Sequence, residues 1–304
     1  MLMDALSVVL RDIHLRGSVY FKECFQSPWG LSVASSKKAA FHIIDKGSCW
    51  LNIKGRDEQI KLLAGDAVIL PHGTEHQLLD NPNSDCLPAA QVVEKIHKGE
   101  NPFLGSDGQF NIVCGYFEFD RDSNHAFVDS LPELIHITQE YRHSYSWLNA
   151  AIKMLTSESA NNNLGKEVLI DRLTDVLFIQ IIRCYIEHNK EQENFIAALN
   201  SGSLNKVLCL LHESPELNWT LASLAEVCNM SRSKFTSRFK ESVGVTPMKY
   251  LLARRMFKAK QLISQTQYSL TSISEMVGYQ SESSFKSAFK QFFGKTPSNY
   301  RSKL

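Results

Sequence analysis

The sequence predicts a multidomain fold: an all-β barrel at the N-terminus with added α-helices, then an all-α C-terminal domain with two helix-turn-helix subdomains. Three observations predict it. A twenty-residue pattern occurs twice, fifty positions apart: SRSKFTSRFKESVGVTPMKY at 231–250 and SESSFKSAFKQFFGKTPSNY at 281–300 share ten identical positions. The apolar spacing reads as short strands up to residue 125 and as helix from Leu131 onward. Charge is also divided. From Asn200 to the end, 15 Lys+Arg stand against 6 Asp+Glu, a balance of +9, so the preceding residues carry −8 within a chain total of +1.

At 304 residues the chain is long enough for two cores. The seven Cys include no CxxC pair, which suits a reducing compartment better than a disulfide framework. The opening MLMDALSVVLRDIHLRGSVYF has no positive leader, and no apolar run nears 18 residues. Neither a signal peptide nor a membrane span is expected, and the expected location is cytoplasmic. Cys24 and Cys49 would sense oxidants only if a neighbouring cation activated them.

In residues 1–125, β-rich runs at 40–44, 50–53, 67–70, 91–93 and 111–119 are separated by turn signals at Lys46-Gly47, Lys54-Gly55 and Asn81-Pro82. Many short strands with such turns predict a barrel or jelly roll. Residues 126–190 are read as helical. Within them, 166–188 form a helix so broadly apolar that something must cover it. One cover is the barrel with the helix at 145–155. The other is a second subunit, and Leu173, Leu177 and Ile181 are the expected dimerisation residues. Residues 191–203 are read as a linker, and 204–304 as the domain holding the repeat.

Each repeat unit reads as helix, short turn, helix. TLASLAEVC precedes Asn229-Met230 in the first unit, and SLTSISEMV precedes Gly278-Tyr279 in the second. Ser231 caps the next helix of the first unit, and Gly244 and Gly294 end the two repeated helices. At 100° per residue, Phe235 and Phe239 anchor one side of the first repeated helix, and Phe285 and Phe289 one side of the second. The opposite sides carry Ser233, Thr236, Ser237 and Lys240, with Lys234 beside them, and Ser283, Lys286, Ser287 and Lys290, with Ser284 beside them. Paired basic helices suggest two readers of one periodic ligand, and double-stranded DNA is the expected partner. Arg232 and Arg238 sit at the shoulders and are expected to grip phosphate. Pro247 starts a joining helix whose face carries Arg254, Arg255, Lys258 and Lys260, either a phosphate-facing or a merely solvated set.

These residues closely resemble the AraC/XylS family of bacterial transcription regulators. The resemblance rests on LASLAEVCNMSRSKFTSRFKESVGVTPMKYL and, more closely, on SISEMVGYQSESSFKSAFKQFFGKTPSNYR. It implies two helix-turn-helix subdomains in successive major grooves, with Ser233, Thr236, Ser237, Ser283, Lys286 and Ser287 facing bases. Further forward, FHIIDKGSCWLNI, LLAGDAVILPHGTEHQL and NIVCGYFEFD are similar to the cupin-type sensor domain of one AraC subgroup, which implies a small-molecule effector and a homodimer. RNA polymerase is a further candidate partner.

Gly65, Pro71, Gly73 and His76 fall at the spacing of the second cupin motif, but Ala40 stands where the first motif has its Glu, and no HxH precedes it. An iron or manganese oxygenase fused to a DNA-binding domain is therefore the alternative, not the main reading. No resident cofactor is expected. A zinc ion held by His72, His76 and Cys114, with His42 nearby, is the minor possibility, since imidazole and thiolate suit it. Trp29, Phe41, His42, Trp50 and His76 are the expected lining of an effector pocket.

Overall fold

A computed structural model describes residues 4–13, 15–104, 109–119, 126–161, 163–189 and 195–301. They pack into two units, one β-rich and one helical. Helices are numbered along the chain, so α1 (Ala5–Asp12) and α3 (Ala126–Asp129) fall in the helical unit.

The β-rich unit contains strands β1 (Arg16–Phe25), β2 (Gly30–Val33), β3 (Ala39–Lys46), β4 (Ser48–Ile53), β5 (Ile60–Leu63), β6 (Ala67–Leu70), β7 (His76–Leu79), β8 (Leu87–Pro88), β9 (Phe110–Glu118) and β10 (Ile135–Ile137). They form two sheets, ordered β1-β9-β3-β6-β10 and β5-β4-β7-β2-β8. Alternation along each strand sends every second side chain between the sheets. In β4, Cys49, Leu51 and Ile53 point in and are buried, whereas Trp50 and Asn52 are half-exposed. Phe25, Trp29, Leu31, Ile44, Leu51, Leu62, Leu70, Leu78 and Ile112 belong to the resulting core.

Residues 91–93, expected as a strand, lie instead in α2 (Ala89–His97). Ala89 and Ala90 favour helical entry behind Pro88, and the segment buries only Val92, as a one-sided helix does. The strands β1, β2, β5, β7, β8 and β10 fall outside the apolar runs read from the sequence, and β10 lies in the stretch read as helical.

Helices α4 (Gln139–Ser144), α5 (Ser146–Ala160) and α6 (Lys166–His188) complete this unit. The Phe178 ring of α6 packs 4.9 Å from Phe117 and 5.4 Å from Phe119, on the face of the first sheet away from the core. Leu173, Leu177 and Ile181 are buried on this side. They are core residues of a single chain, which corrects their expected place in a dimer interface. The stripe was broad enough for two covers, and sheet and α5 take the half that holds these three. Val168, Leu169 and Val176 remain exposed on the rest of α6.

The helical unit contains α7 (Phe195–Asn200), α8 (Gly202–Glu213), α9 (Leu221–Val227), α10 (Arg232–Val243), α11 (Pro247–Gln265), α12 (Leu270–Met276), α13 (Glu282–Phe293) and α14 (Pro297–Arg301). It departs from the expected boundaries in α1, in α3, which was read with the dimerisation region, and in α7. Helix α1, read as part of the barrel domain, packs on α8. Helix α7, inside the expected linker, packs on α8 and α10. The reason for the first is chemical. Ala5, Val8, Val9 and Ile13 form an apolar stripe that is buried in this unit, and Asp12 follows the same face. The Asp12 carboxylate pairs with Arg254 at 2.5 Å and accepts a hydrogen bond from His212 Nδ1. His212 Nε2 lies 2.6 Å from the Tyr250 hydroxyl and accepts from it. Arg254 and His212 are both buried, and a buried cation needs a counter-charge, which Asp12 supplies.

Candidate nucleic-acid interface and barrel interior

Local chemistry sets both repeated helices. The Ser231 hydroxyl accepts the Lys234 amide, and the Ser281 hydroxyl accepts the Ser284 amide. At the other ends Gly244 (φ +83°) and Gly294 (φ +72°) take the left-handed conformation that stops a helix. The preceding helices are capped alike: the Thr220 hydroxyl accepts the Ser223 amide, and the Ser269 hydroxyl accepts the Ser272 amide. Phe235, Phe239, Phe285 and Phe289 are fully buried, so each repeated helix is clamped through its aromatic side. The second core gathers Met256, Ala259, Ile263, Ile273 and Val277 around Phe285 and Phe289.

The opposite faces are open. Arg232, Ser233, Lys234, Ser237, Arg238 and Lys240 are exposed on α10, as are Ser283, Ser284, Ser287 and Lys290 on α13. Two residues are more constrained than the helical wheel implied. Thr236 is half-buried and donates its hydroxyl proton to the Arg232 carbonyl (2.8 Å), leaving it an acceptor. Lys286 is ion-paired with Glu282, whose carboxylate also accepts from the Thr271 hydroxyl at 2.5 Å. Lys286 and Thr271 together hold the Glu282 carboxyl below its ordinary range. Glu282 was missed by sequence reading, although its spacing of four from Lys286 was the available signal.

The basic face of α11 does not survive as one surface. Arg254 is buried on Asp12. Arg255 donates to the Pro215 and Leu217 carbonyls, Lys258 pairs with Glu216 at 2.7 Å, and Lys260 lies over the Tyr300 ring. These side chains bind protein, which removes the phosphate-facing option for the set.

In the barrel, His42 on β3 lies opposite Cys114 on β9, and His76 enters from the other sheet. His42 Nδ1 is 3.0 Å from the Cys114 sulfur, His42 Nε2 is 2.8 Å from His76 Nε2, and His76 Nδ1 is 2.7 Å from the Thr74 carbonyl. The proton positions follow by elimination. A carbonyl only accepts, so His76 Nδ1 carries hydrogen and its Nε2 is a bare acceptor. His42 Nε2 must then donate, which leaves its Nδ1 to accept the Cys114 S–H. Burial depresses the His42 and His76 pKa values and raises that of Cys114, so all three stay neutral. The three groups form a line and do not converge on one point. His72 is exposed and bonded to the Leu131 carbonyl at 2.8 Å, apart from them. The His72, His76 and Cys114 set is therefore not a ligand cage, and no metal-holding group of three occurs among the described residues.

The expected pocket lining is divided too. Trp29, His42 and His76 are buried, but Phe41 neighbours His42 on β3 and points to the opposite face, against Phe117 at 4.8 Å. Trp50 points outward with Lys61 over its ring. Adjacent strand residues cannot line one interior. Cys49 is buried, and burial together with Asp66 raises its pKa, the reverse of activation.

No described helix is long and apolar enough to cross a membrane. Comparison with known proteins gives a Cupin family model matching residues 4–187 and a Helix-turn-helix domain model matching residues 224–303. The HTH-type transcriptional regulator AlkR of Acinetobacter baylyi (strain ATCC 33305 / BD413 / ADP1) is 30% identical over 98% of this chain and 99% of that protein. The RCS-specific HTH-type transcriptional activator RclR of Escherichia coli (strain K12) is 30% identical over 99% of this chain and 98% of that protein. The DNA-binding domain of AdpA, solved in complex with a target DNA, is 27% identical over 34% of this chain and 93% of that chain, with a TM-score of 0.32. Both full-length relatives are named as transcription regulators, which favours that reading over a fused oxygenase. The chain belongs to the AraC/XylS family of transcription regulators, with a cupin-like N-terminal domain and an AraC-type helix-turn-helix domain that binds double-stranded DNA.

Proposed function

We propose that α10 and α13 enter successive major grooves of one operator, and that the barrel answers a small-molecule effector. The observation carrying the first part is the pair of identically capped helices, each clamped by two buried Phe and each exposing a Ser/Lys face. Ser233, Ser237, Ser283 and Ser287 are the nearest candidates for base edges. Thr236 and Lys286 flank them, Arg232, Lys234, Arg238, Ser284, Lys240 and Lys290 serve phosphate, and RNA polymerase is the partner through which a regulator of this kind acts. With neither central face offering an Arg–guanine fork, DNA shape and water supply much of the specificity. The effector acts by favouring one arrangement of the chain over another.

Binding of the full chain to a selected operator tests this. Lys240→Ala reduces the salt slope by about 1, and Ser287→Ala changes base preference at one position of one half-site. Wild-type behaviour of both variants contradicts the face assignment. Pairing of two chains through α6 is the accompanying proposal, supported by its exposed Val168, Leu169 and Val176. Val168→Lys with Val176→Lys then yields monomers in sedimentation, and an unchanged profile removes that interface.

A further inference from the structure

We infer that Arg255 and the loop at 214–219 form a brace that fixes the distance and twist between the two reading helices, so that the protein reads operator spacing as well as sequence. This rests on the two-groove reading above. The starting point is α11, whose 19 residues span about 28 Å. Its two ends belong to different cores: Tyr250 meets Phe239 of the first unit at 5.8 Å, while Met256, Ala259 and Ile263 pack around Phe285 and Phe289 of the second. A single helix shared in this way can still bend and twist.

A second connection closes that freedom. Arg255, midway along α11, donates from Nε to the Pro215 carbonyl (2.7 Å) and from Nη2 to the Leu217 carbonyl (2.9 Å). The loop they belong to ends the segment between α8 and α9 of the first unit. Trp219 Nε1 donates to the Ser214 carbonyl at 2.8 Å and closes the loop on itself. The loop in turn rests on the turn between α12 and α13. A Cβ added to Gly278 would lie 2.4 Å from the Glu216 carbonyl oxygen and 2.9 Å from Arg255 Nη2. The Arg255 guanidinium also sits 5.9 Å from the Tyr279 ring centre. Helix, loop and turn thus make a triangle linking the two units.

The repeat provides an internal comparison. Asn229 occupies the same turn position in the first unit with φ +53°, and it is exposed. A left-handed backbone alone therefore accepts Asn. Gly278, at φ +81°, differs because the Glu216 loop covers it. Glycine is required there by the contact between units, not by the turn.

The consequence is geometric. Adding one base pair between half-sites moves the second by about 3.4 Å and turns it by roughly 34°. A hinged pair of units follows such a change, and a braced pair does not. Arg255 and Gly278 act as positioning residues, since neither needs to touch a base.

The test uses full-length protein and duplexes carrying a selected two-part site with its gap native, one pair longer or one pair shorter. Wild-type affinity falls about tenfold or more when the gap changes, the cost of misreading one half-site. Arg255→Met removes the loop bonds, and Gly278→Asn keeps the turn but pushes the loop away. In both variants the penalty shrinks to about threefold or less, while loss of a general structural kind lowers binding equally at every gap. Arg255→Lys, which keeps one of the two carbonyl bonds, falls between. Folded variants, judged by circular dichroism, that retain the full wild-type penalty overturn the brace alone. Wild-type protein indifferent to the gap overturns the two-groove reading and the brace together.

Discussion

Phe289→Ala isolates how the second reading unit is held. The side chain is fully buried, with ring centroids 4.7 Å from Phe293, 5.8 Å from Phe285 and 6.0 Å from Tyr300. Removing the ring loses its burial and three aromatic contacts and leaves a cavity beneath α13, at a cost of about 3–5 kcal/mol. That is a large share of the roughly 5–15 kcal/mol that stabilises a domain. Native-state hydrogen exchange read by mass spectrometry resolves it by segment. At about 1.4 kcal/mol per tenfold, protected amides in α12, α13 and the C-terminal half of α11 exchange roughly a hundred to a few thousand times faster. Amides in α10, which carries Phe239, change far less. Phe239→Ala reverses the pattern. A change below about 1 kcal/mol, or one spread evenly over both units, refutes the two-core account.

Two other predictions follow from the same geometry. Burial first, and Arg254 second, depress the His212 pKa to about 4, so folding favours the neutral ring. Its contribution is complete above the ordinary His value near 6.5 and is lost as pH falls from there to about 4, up to roughly 3 kcal/mol. Urea titrations at several pH values check this: wild type loses more stability across that window than His212→Asn, and parallel profiles contradict it. Glu282→Gln removes an anion from the reading face and frees Lys286, so binding tightens roughly twofold to fivefold at low salt on all sequences. Weaker binding confined to one base pair instead makes Glu282 a base reader.

The helix-turn-helix units were legible because their signals are local. Ser caps, Gly stops, Pro starts and Phe pairs at i and i+4 all act within one or two turns, and the repeat displayed them twice. What was missed depends on partners distant in sequence. Nothing in residues 4–13 shows that Asp12 meets a buried Arg254 some 240 positions later. Arg254, Arg255 and Lys258 look like one solvated face until the loop at 214–219 and α1 are placed on them. The all-round apolar character of α6 conceals which side the sheet takes, so Leu173, Leu177 and Ile181 read as dimerisation residues although the fold buries them. In the barrel, the His76 turn was readable from Pro71 and Gly73. The pairing of His42 with Cys114 needed strand register, and the strand period alone argued against grouping Phe41 with His42.

Methylation protection of a selected operator by the full chain is the most direct measurement. Guanine N7 lies in the major groove, so α10 and α13 should shield guanines in two clusters about 10 base pairs apart on one face of the duplex. A single cluster, or clusters on opposite faces, would contradict the placement of both helices on one operator.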